Sequence, residues 1–192
     1  MTRRHRKKLP HLWLMTDERI GEAALLAAAA RLPKGKGGIV FRHYRTESRA
    51  RRALFEALRL IARRRRLVLI LAGDARTAAA WAADGWHGRD ARRAGPIGAR
   101  AMLHSAPAHD AREMMAAGRG GADLVFLSPL FATRSHPGAP SLGRVRFAAL
   151  ARQAQMPVMA LGGVTQGDLH GLRTIGADGW GAIDGLVDGG RG

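Results

Sequence analysis

The stretch SPLFATRSHPG, residues 128–138, places Thr133, Arg134, Ser135 and His136 side by side after an apolar run. Two hydroxyl groups, a guanidinium and an imidazole in one loop can hold an anion such as a phosphate group. The same residues could equally form an exposed turn in a chain rich in arginine. The cluster therefore indicates either an anion site or a solvated loop.

A Gly-Gly pair ends a second apolar run, PVMALGGVT, at Gly162 and Gly163. Backbone N–H groups at such a turn, ahead of a helix that opens at Thr165, can approach a phosphate closely. The alternative is an ordinary tight turn between a strand and a helix.

Two carboxylates, Asp74 and Asp90, follow apolar segments and could face each other across adjacent strand ends. Such a pair suits Mg²⁺, which proteins usually hold with one or two carboxylates, substrate phosphates and water. Alternatively, Asp74 caps the helix that begins at Ala75, and Asp90 pairs with neighbouring arginines. Three histidines near predicted strand ends are either ligand contacts or half-exposed polar residues: His43, His87 and His136.

Short apolar runs alternate with alanine- and arginine-rich segments of helical period, which is typical of βα units around a parallel sheet. The candidate strands are residues 12–16, 38–44, 67–73, 85–88, 100–105, 123–128, 157–163 and 179–184. The candidate helices are residues 17–31, 47–66, 75–83, 110–118, 146–153 and 166–175. The pattern predicts an α/β fold, a compact (β/α)8 TIM barrel with a shortened fourth crossover and little or no eighth helix.

An aspartate precedes three of these strands, at Asp84, Asp123 and Asp178. That end of a barrel lies opposite the catalytic end, so we assign these aspartates to turn chemistry. Without an eighth helix the outer face of the last strand is exposed, and a partner subunit could cover it, as in a homo-oligomer.

Length and composition set further bounds. A chain of 192 residues with 46% apolar content suits one domain, so we expect a basic tail over residues 1–10 and a single barrel over residues 11–192. The net charge of +17 favours anionic partners. There is no cysteine and no apolar stretch near the 20 or so residues that span a membrane, so we expect a cytoplasmic protein without membrane contact.

We interpret the basic segments of the chain as solvated surface. We expect the arginines of the helix over residues 47–66 to form its solvated face, and the tail to be solvated as well. Nucleic-acid binding through the tail is the alternative, but it is disfavoured because aromatic residues make up only 5% of the chain.

The order of features resembles one barrel family. The segments GADLVFLSPLFATRSH, PVMALGGVT and GADGWGAIDGL are similar to the C-terminal half of thiamine phosphate synthase and its relative, thiazole tautomerase. The likeness continues upstream through LWLMTDE, IVFRHY, LVLILAGDART and ADGWHG, and so covers nearly the whole chain. It implies a transferase that joins an aminopyrimidine methyl diphosphate to a thiazole phosphate and releases pyrophosphate with the help of Mg²⁺.

The resemblance also implies roles for individual residues. The catalytic set is Arg42, Thr133, Arg134 and His136. The set that binds substrate phosphate is Gly162, Gly163 and Ile183, and the Mg²⁺ ligands are Asp74 and Asp90.

The chain departs from the family at several of these positions. The replacements are Val40 for Gln, Tyr44 for Lys, Gly73 for Asn, Pro107 or Ala108 for Ser, His136 for Lys and Asp184 for a phosphate-binding Ser, and Ser128 stands where the tautomerase has His. Two alternatives to the synthase therefore stay open. One is a diverged paralogue, tautomerase-like or with another phosphorylated ligand, and the other is a basic binding protein without catalysis.

Overall fold

The computed structural model of the protein describes residues 9–89, 102–133, 138 and 140–187. Eight parallel strands of this part close into a barrel in chain order, and β8 pairs with β1. The strands are β1 (Leu12–Met15), β2 (Gly37–Phe41), β3 (Val68–Ala72), β4 (Gly85–His87), β5 (Leu103–Ala108), β6 (Leu124–Leu127), β7 (Val158–Ala160) and β8 (Gly179–Ala182). The predicted (β/α)8 barrel is confirmed.

Helices lie between most strands in the described ranges. They are α1 (Glu22–Arg31), α2 (Ser48–Arg65), α3 (Ala75–Ala80), α4 (Ala111–Arg119), α5 (Gly143–Ala151), α6 (Leu169–Leu172) and α7 (Asp184–Val187). Single turns of 3-10 helix, Gln166–Asp168 and Arg173–Ile175, flank α6. The predicted shortened fourth crossover falls mainly on residues 90–101, outside the described residues.

Several strands end at other residues than the sequence predicts. The difference affects the mouth of the barrel, by which we mean the space at the C-terminal ends of the strands. β2 and β7 each end three residues earlier than predicted, so Arg42, Gly162 and Gly163 lie in loops. β5 spans Leu103–Ala108 instead of residues 100–105. The apolar pattern misplaces β5 because its second half, Ala-Pro-Ala, carries no bulky apolar side chain.

The barrel interior is a packed apolar core. Its residues are Trp13, Met15, Val40, Ile70, Leu124, Phe126 and Met159. Trp13 and Phe126 meet edge to face, with ring centroids 5.6 Å apart, which is a favoured aromatic geometry. Because this core fills the barrel, a ligand can enter only the space above it, at the C-terminal ends of the strands.

Helix α2 illustrates how the outer layer forms. Its apolar stripe, Leu54, Phe55, Leu58 and Ala62, is buried against the barrel wall. Glu47 caps its first turn by accepting the N–H groups of Arg49 and Ala50, which satisfies two otherwise unpaired donors. The predicted solvated arginine face is realised only in part. Arg63, Arg64 and Arg66 are exposed, whereas Arg51 and Arg52 are half-buried and lie over the ring of Trp81.

The three recurrent aspartates tie neighbouring strands together. Each precedes an even-numbered strand, and its carboxylate accepts a backbone N–H at the start of the preceding odd-numbered strand. The pairs are Asp84 with Leu69, Asp123 with His104 and Asp178 with Val158, each at 2.8 Å. Their assignment to turn chemistry is confirmed.

The expectation that the outer face of the last strand is exposed is wrong. The outer face of β8 is covered, because Trp180 and Ala182 are each only 6% exposed. Leu186 of the short helix α7 packs on the same apolar layer, and Arg31 of α1 donates to its carbonyl at 3.2 Å. The argument for a partner subunit on this face therefore fails, and oligomerisation is not shown.

Candidate active site

The ends of β1 and β2 form a connected polar corner at the mouth. Arg42 lies two residues after the interior residue Val40 and so projects on the same side of the wall. Its Nε donates to the carbonyl of Thr16 at 2.9 Å, and its Nη2 lies 3.6 Å from Oδ2 of Asp17. These two contacts hold the guanidinium in place, with about a quarter of the side chain exposed to the mouth.

The carboxylate of Asp17 and the guanidinium of Arg42 influence each other's ionisation. Burial by itself raises the pKa of Asp17, but hydrogen bonds from Arg19 and the charges of Arg19 and Arg42 bring it below its usual value. Burial lowers the pKa of Arg42, and the Asp17 carboxylate opposes that shift. The corner therefore presents an ionised carboxylate and a guanidinium, and the guanidinium is the group suited to an anion.

His43 belongs to the wall of the barrel. Its ring stacks on Phe41, with centroids 4.8 Å apart. The hydroxyl of Thr16 accepts the backbone N–H of Arg42 at 2.8 Å and lies 3.0 Å from Nδ1 of His43, to which it can donate. Burial lowers the pKa of His43, so this histidine is a neutral structural contact.

His87, the last residue of β4, forms the floor of the mouth. Its imidazole is buried, and the ring meets the interior residue Phe126 edge to face at 5.6 Å. Nδ1 lies 2.9 Å from Oγ of Ser105 on the neighbouring strand. Burial, with the nearby charge of Arg42, lowers the pKa of His87 to about 3. The floor is therefore polar and uncharged.

The His87–Ser105 pair is a feature that sequence reasoning missed. His87 stood among the candidates near strand ends, but its partner depends on the β4–β5 register, in which His87 pairs with Ser105. His104, which precedes Ser105 on β5, projects to the outside of the barrel instead. Its ring stacks on Trp86, and its Nε2 lies 3.0 Å from the carbonyl oxygen of Gly88.

Asp74 follows β3 and sits beside the end of β4, because the N–H of Gly73 donates to the carbonyl of His87 at 3.1 Å. Its carboxylate caps α3, with bonds of 2.9 Å from the N–H and 2.8 Å from the hydroxyl of Thr77. These bonds lower the pKa of Asp74, so the exposed carboxylate is ionised. The helix-capping alternative is thus realised; the second carboxylate, Asp90, lies outside the described residues.

The loops after β6 and β7 lie against each other. The N–H of Leu130 donates to the carbonyl of Leu161 at 2.8 Å, and that of Phe131 to the carbonyl of Gly162 at 3.0 Å. A Cβ on Gly162 would lie 2.7 Å from Pro129, and one on Gly163 would lie 2.4 Å from the Ala132 carbonyl oxygen. Both positions also have positive φ, 90° and 65°, so only glycine fits this contact.

The Gly-Gly turn also exposes unused donors. Within the described ranges, the N–H groups of Gly162 and Gly163 bond to no protein acceptor. Gly162 is half-buried and Gly163 is exposed, so both N–H groups can be reached by water or a ligand. Two adjacent open N–H groups at the mouth are suited to the oxygens of an anion.

The remaining predicted site residues divide into two groups. Thr133 is half-buried at the end of the described β6 loop, and Ile183 directly follows β8 with its side chain against the interior core. Arg134, His136 and Asp90 lie outside the described residues. The structure thus brings Arg42, Asp74, Gly162, Gly163 and Ile183 to one end of the barrel, together with His87.

Some departures from the family have a local reason. Gly73 has φ of 141°, which disfavours any side chain, so the backbone here requires glycine. Val40 is fully buried in the interior core, where a polar side chain would need a partner. Tyr44 is 66% exposed, so the structure sets no packing requirement on its side chain. No structural reason for Pro107 in place of serine is evident.

Comparisons with known proteins agree on one family. The model of the family described as thiamine monophosphate synthase matches residues 12–186. The thiamine-phosphate synthase of Chloroflexus aurantiacus is 30% identical over 186 residues, which cover 92% of this chain and 84% of that protein. The thiamine-phosphate synthase of Methylobacillus flagellatus is 32% identical over 190 residues, with 93% and 88% covered.

Solved structures agree on the fold. Thiamine phosphate pyrophosphorylase from Pyrococcus furiosus superimposes with a TM-score of 0.76 at 20% identity, over 94% of this chain and 91% of that one. FabK from Thermotoga maritima reaches 0.73 at 14% identity, over 93% and 59%. Because differently named barrels score almost alike, the fold does not decide the activity. The sequence match over residues 12–186 does decide the family: this chain belongs to the thiamine monophosphate synthase family.

Proposed function

We propose that the protein is a thiamine phosphate synthase, a transferase that joins an aminopyrimidine methyl diphosphate to a thiazole phosphate. The observation that carries this proposal is the family match over residues 12–186, together with curated synthases about 30% identical over most of the chain. In the reaction a C–N bond forms between the thiazole nitrogen and the methylene carbon. The C–O bond to the diphosphate breaks, and its electron pair leaves with pyrophosphate.

Arg42 is the residue we assign to the departing diphosphate. Its guanidinium is anchored by Thr16 and Asp17 and remains partly open to the mouth. An anchored guanidinium needs little reorganisation as negative charge builds up on the leaving group, which lowers the barrier to bond cleavage. Arg134 and His136, from the β6 loop, would add positive charge to the same anion.

Asp74 fits a role as one Mg²⁺ ligand. Its carboxylate is exposed and ionised, and Thr77 donates one hydrogen bond to each of its oxygens. A carboxylate oxygen has two lone pairs, so it can accept one such bond and still bind a cation. In the described part of the chain, no three His, Cys, Asp or Glu side chains group closely enough to hold a metal ion. We propose that Asp74 and Asp90 hold Mg²⁺ together with substrate phosphates and water. The ion would neutralise the diphosphate.

The uncharged pair of His87 and Ser105 suits the aminopyrimidine ring. Ser105 Oγ lies 2.9 Å from His87 Nδ1 and 3.5 Å from the Trp86 carbonyl. If the hydroxyl donates to that carbonyl, Nδ1 carries the proton, and Nε2 is left as an acceptor for an exocyclic amino group. A neutral imidazole adds no positive charge beside the carbon from which the diphosphate leaves.

The Gly162–Gly163 turn is our proposed cradle for the thiazole phosphate. The two open N–H groups would donate to phosphate oxygens. Thr133, from the loop packed on this turn, and the backbone at Ile183 would complete the contact.

We also propose the cytoplasm as the location of the protein, because phosphorylated substrates carry charges that do not cross a hydrocarbon layer.

The test is turnover by the full chain with both substrates and Mg²⁺, with calorimetric titration of each substrate alone. We expect thiamine phosphate to form and the aminopyrimidine diphosphate to bind more tightly with Mg²⁺. Asp74→Ser is the informative variant, because serine can still cap α3 but has no carboxylate. We expect it to melt like the parent and to lose the Mg²⁺ effect.

Three results would count against parts of this proposal. Binding of both substrates without turnover would point to the diverged paralogue. Heat from neither substrate would reject the synthase altogether. Undiminished Mg²⁺ dependence in Asp74→Ser would remove Asp74 from the metal site.

A further inference from the structure

Exposed cations gather at the N-terminal end of the barrel, opposite the mouth. Lys34 and Lys36 lie in the connection from α1 to β2. Arg63 and Arg64 lie in the last turn of α2, and Arg66 begins the connection from α2 to β3. All five side chains are exposed. We name this set the basic rim.

The two connections form one surface. The N–H of Gly35 donates to the carbonyl of Arg65 at 2.9 Å. In return, the guanidinium of Arg65 donates to the carbonyl of Leu32 at 3.2 Å from Nε and 2.7 Å from Nη2. Since β2 and β3 are adjacent strands, the five cations lie side by side along one arc of the barrel end.

No acidic side chain within these connections balances the rim. Residues 31–37 and 62–67 contain no Asp or Glu. Among the described ion pairs, none includes a rim residue, whereas Arg19, Arg42, Arg52, Arg59 and Arg89 each pair with a carboxylate. The aspartates on the same end of the barrel, before β4, β6 and β8, are bound to backbone N–H groups.

A purely structural reason accounts for only part of this set. Cations at the C-terminal end of α2 interact favourably with the helix dipole, which gives Arg63 and Arg64 a role in helix stability. That reason does not extend to Lys34 and Lys36, which lie beyond the end of α1 at Arg31. Concentrating like charges on one face costs free energy unless an anion binds there.

We propose that the basic rim is a binding surface for the phosphate backbone of nucleic acid. Its cations stand on a turn and a helix end and form a row, which suits an extended polyanion better than a small metabolite. Guanidinium groups bind phosphate oxygens bidentately. Among the large exposed apolar side chains of the described ranges, Leu60 lies one helical turn before Arg63 and Arg64, and Tyr44, Met115, Val145 and Leu169 lie on other elements. A single leucine is not the apolar face with which a helix inserts into a membrane.

The expected binding is not specific for sequence. The rim residues are basic side chains without an exposed aromatic or amide group for reading bases. The surface lies at the end of the barrel opposite Arg42 and the Gly162–Gly163 turn, so nucleic acid and the small phosphorylated substrates would not compete for one site.

The experiment is fluorescence anisotropy of a labelled 20-base-pair DNA duplex titrated with the full chain at several salt concentrations. The rim variant replaces Lys34, Lys36, Arg63, Arg64 and Arg66 with Gln. The matched control replaces five exposed arginines that lie away from this end of the barrel, in the loop after β2 or in the first turns of α2, α3, α4 and α5, with Gln: Arg45, Arg49, Arg76, Arg112 and Arg146. Both variants lower the net charge from +17 to +12, so only the position of the lost charge differs.

We expect the parent chain to bind the duplex with a steep loss of affinity as salt rises, by about 0.9 in the log–log slope for each phosphate contacted. The rim variant should lose about tenfold or more in affinity, and its slope should flatten by several units. The control should stay within about threefold of the parent.

Four results would overturn the proposal. They are no binding by the parent chain, equal loss in the rim and control variants, a salt slope that the rim variant leaves unchanged, and capture of vesicles with anionic lipid but not of the duplex. Melting curves of both variants serve as the folding control. None of these measurements depends on synthase activity.

Discussion

The Oγ atom of Ser105 lies 2.9 Å from Nδ1 of His87, where two neighbouring strands reach the top of the packed barrel interior. The contact gives a buried imidazole one polar partner and fixes its orientation. Below it, the rings of Phe126 and His87 meet edge to face, with centroids 5.6 Å apart. The pair separates the apolar core from the polar mouth, and its burial keeps His87 neutral.

The first prediction concerns acid stability. The pKa of His87 falls from 6.5 to about 3 on folding, so between these values the unfolded chain binds a proton that the folded chain does not. The free energy of unfolding should therefore decrease as pH falls through this window, by about 1.4 kcal/mol per pH unit from this group. His87→Gln should remove that part of the slope in urea denaturation between pH 4.5 and 7.5. Parallel curves for parent and variant would refute it.

The second prediction concerns the carboxylate before β8. Asp178 accepts the N–H of Val158 at 2.8 Å, and removing it leaves a backbone donor without its partner. Asp178→Ala should lower the free energy of unfolding by about 1.5 to 3 kcal/mol in urea titrations. Asp178→Asn keeps an acceptor oxygen and should cost clearly less. Equal costs for the two variants would show that the hydrogen bond is not the source.

The third prediction concerns the Gly-Gly turn. Gly163→Ala would put a Cβ 2.4 Å from the Ala132 carbonyl oxygen at a φ of +65°. We expect a loss of about 1 to 3 kcal/mol in stability and a higher KM for the thiazole phosphate, because the phosphate cradle shifts. Gly121→Ala is the matched control, since φ is +72° and nothing lies within 4 Å. It should cost less stability and leave KM unchanged. A KM unaffected in Gly163→Ala would argue against the cradle.

The fourth prediction concerns Arg42. Arg42→Gln should lower kcat/KM for the aminopyrimidine diphosphate about a hundredfold, because the leaving group loses a fixed positive charge. Arg42→Lys should recover part of the rate, as lysine keeps the charge but not the planar donor set that binds Thr16. Steady-state kinetics with each substrate varied in turn measure this. Equal effects on both substrates would indicate general loss of the site rather than diphosphate binding.

The sequence by itself determined the order of elements and the end of the barrel that carries chemistry. Alternating apolar runs and helical segments predicted the (β/α)8 barrel, since periodicity reflects which side chains must be buried. The Gly-Gly pair and Arg42 follow predicted strands, so their placement at the mouth required only the rule that strand ends meet there. The three aspartates before strands were predictable for the same reason.

Tertiary structure decided what depends on register and on contacts between distant segments. No local pattern pairs His87 with Ser105, because the partner is set by how β4 aligns with β5. The close contact of the β6 and β7 loops explains why both Gly162 and Gly163 must lack a side chain. The basic rim likewise arises from connections 27 or more residues apart, which become neighbours only because β2 and β3 are adjacent in the closed barrel.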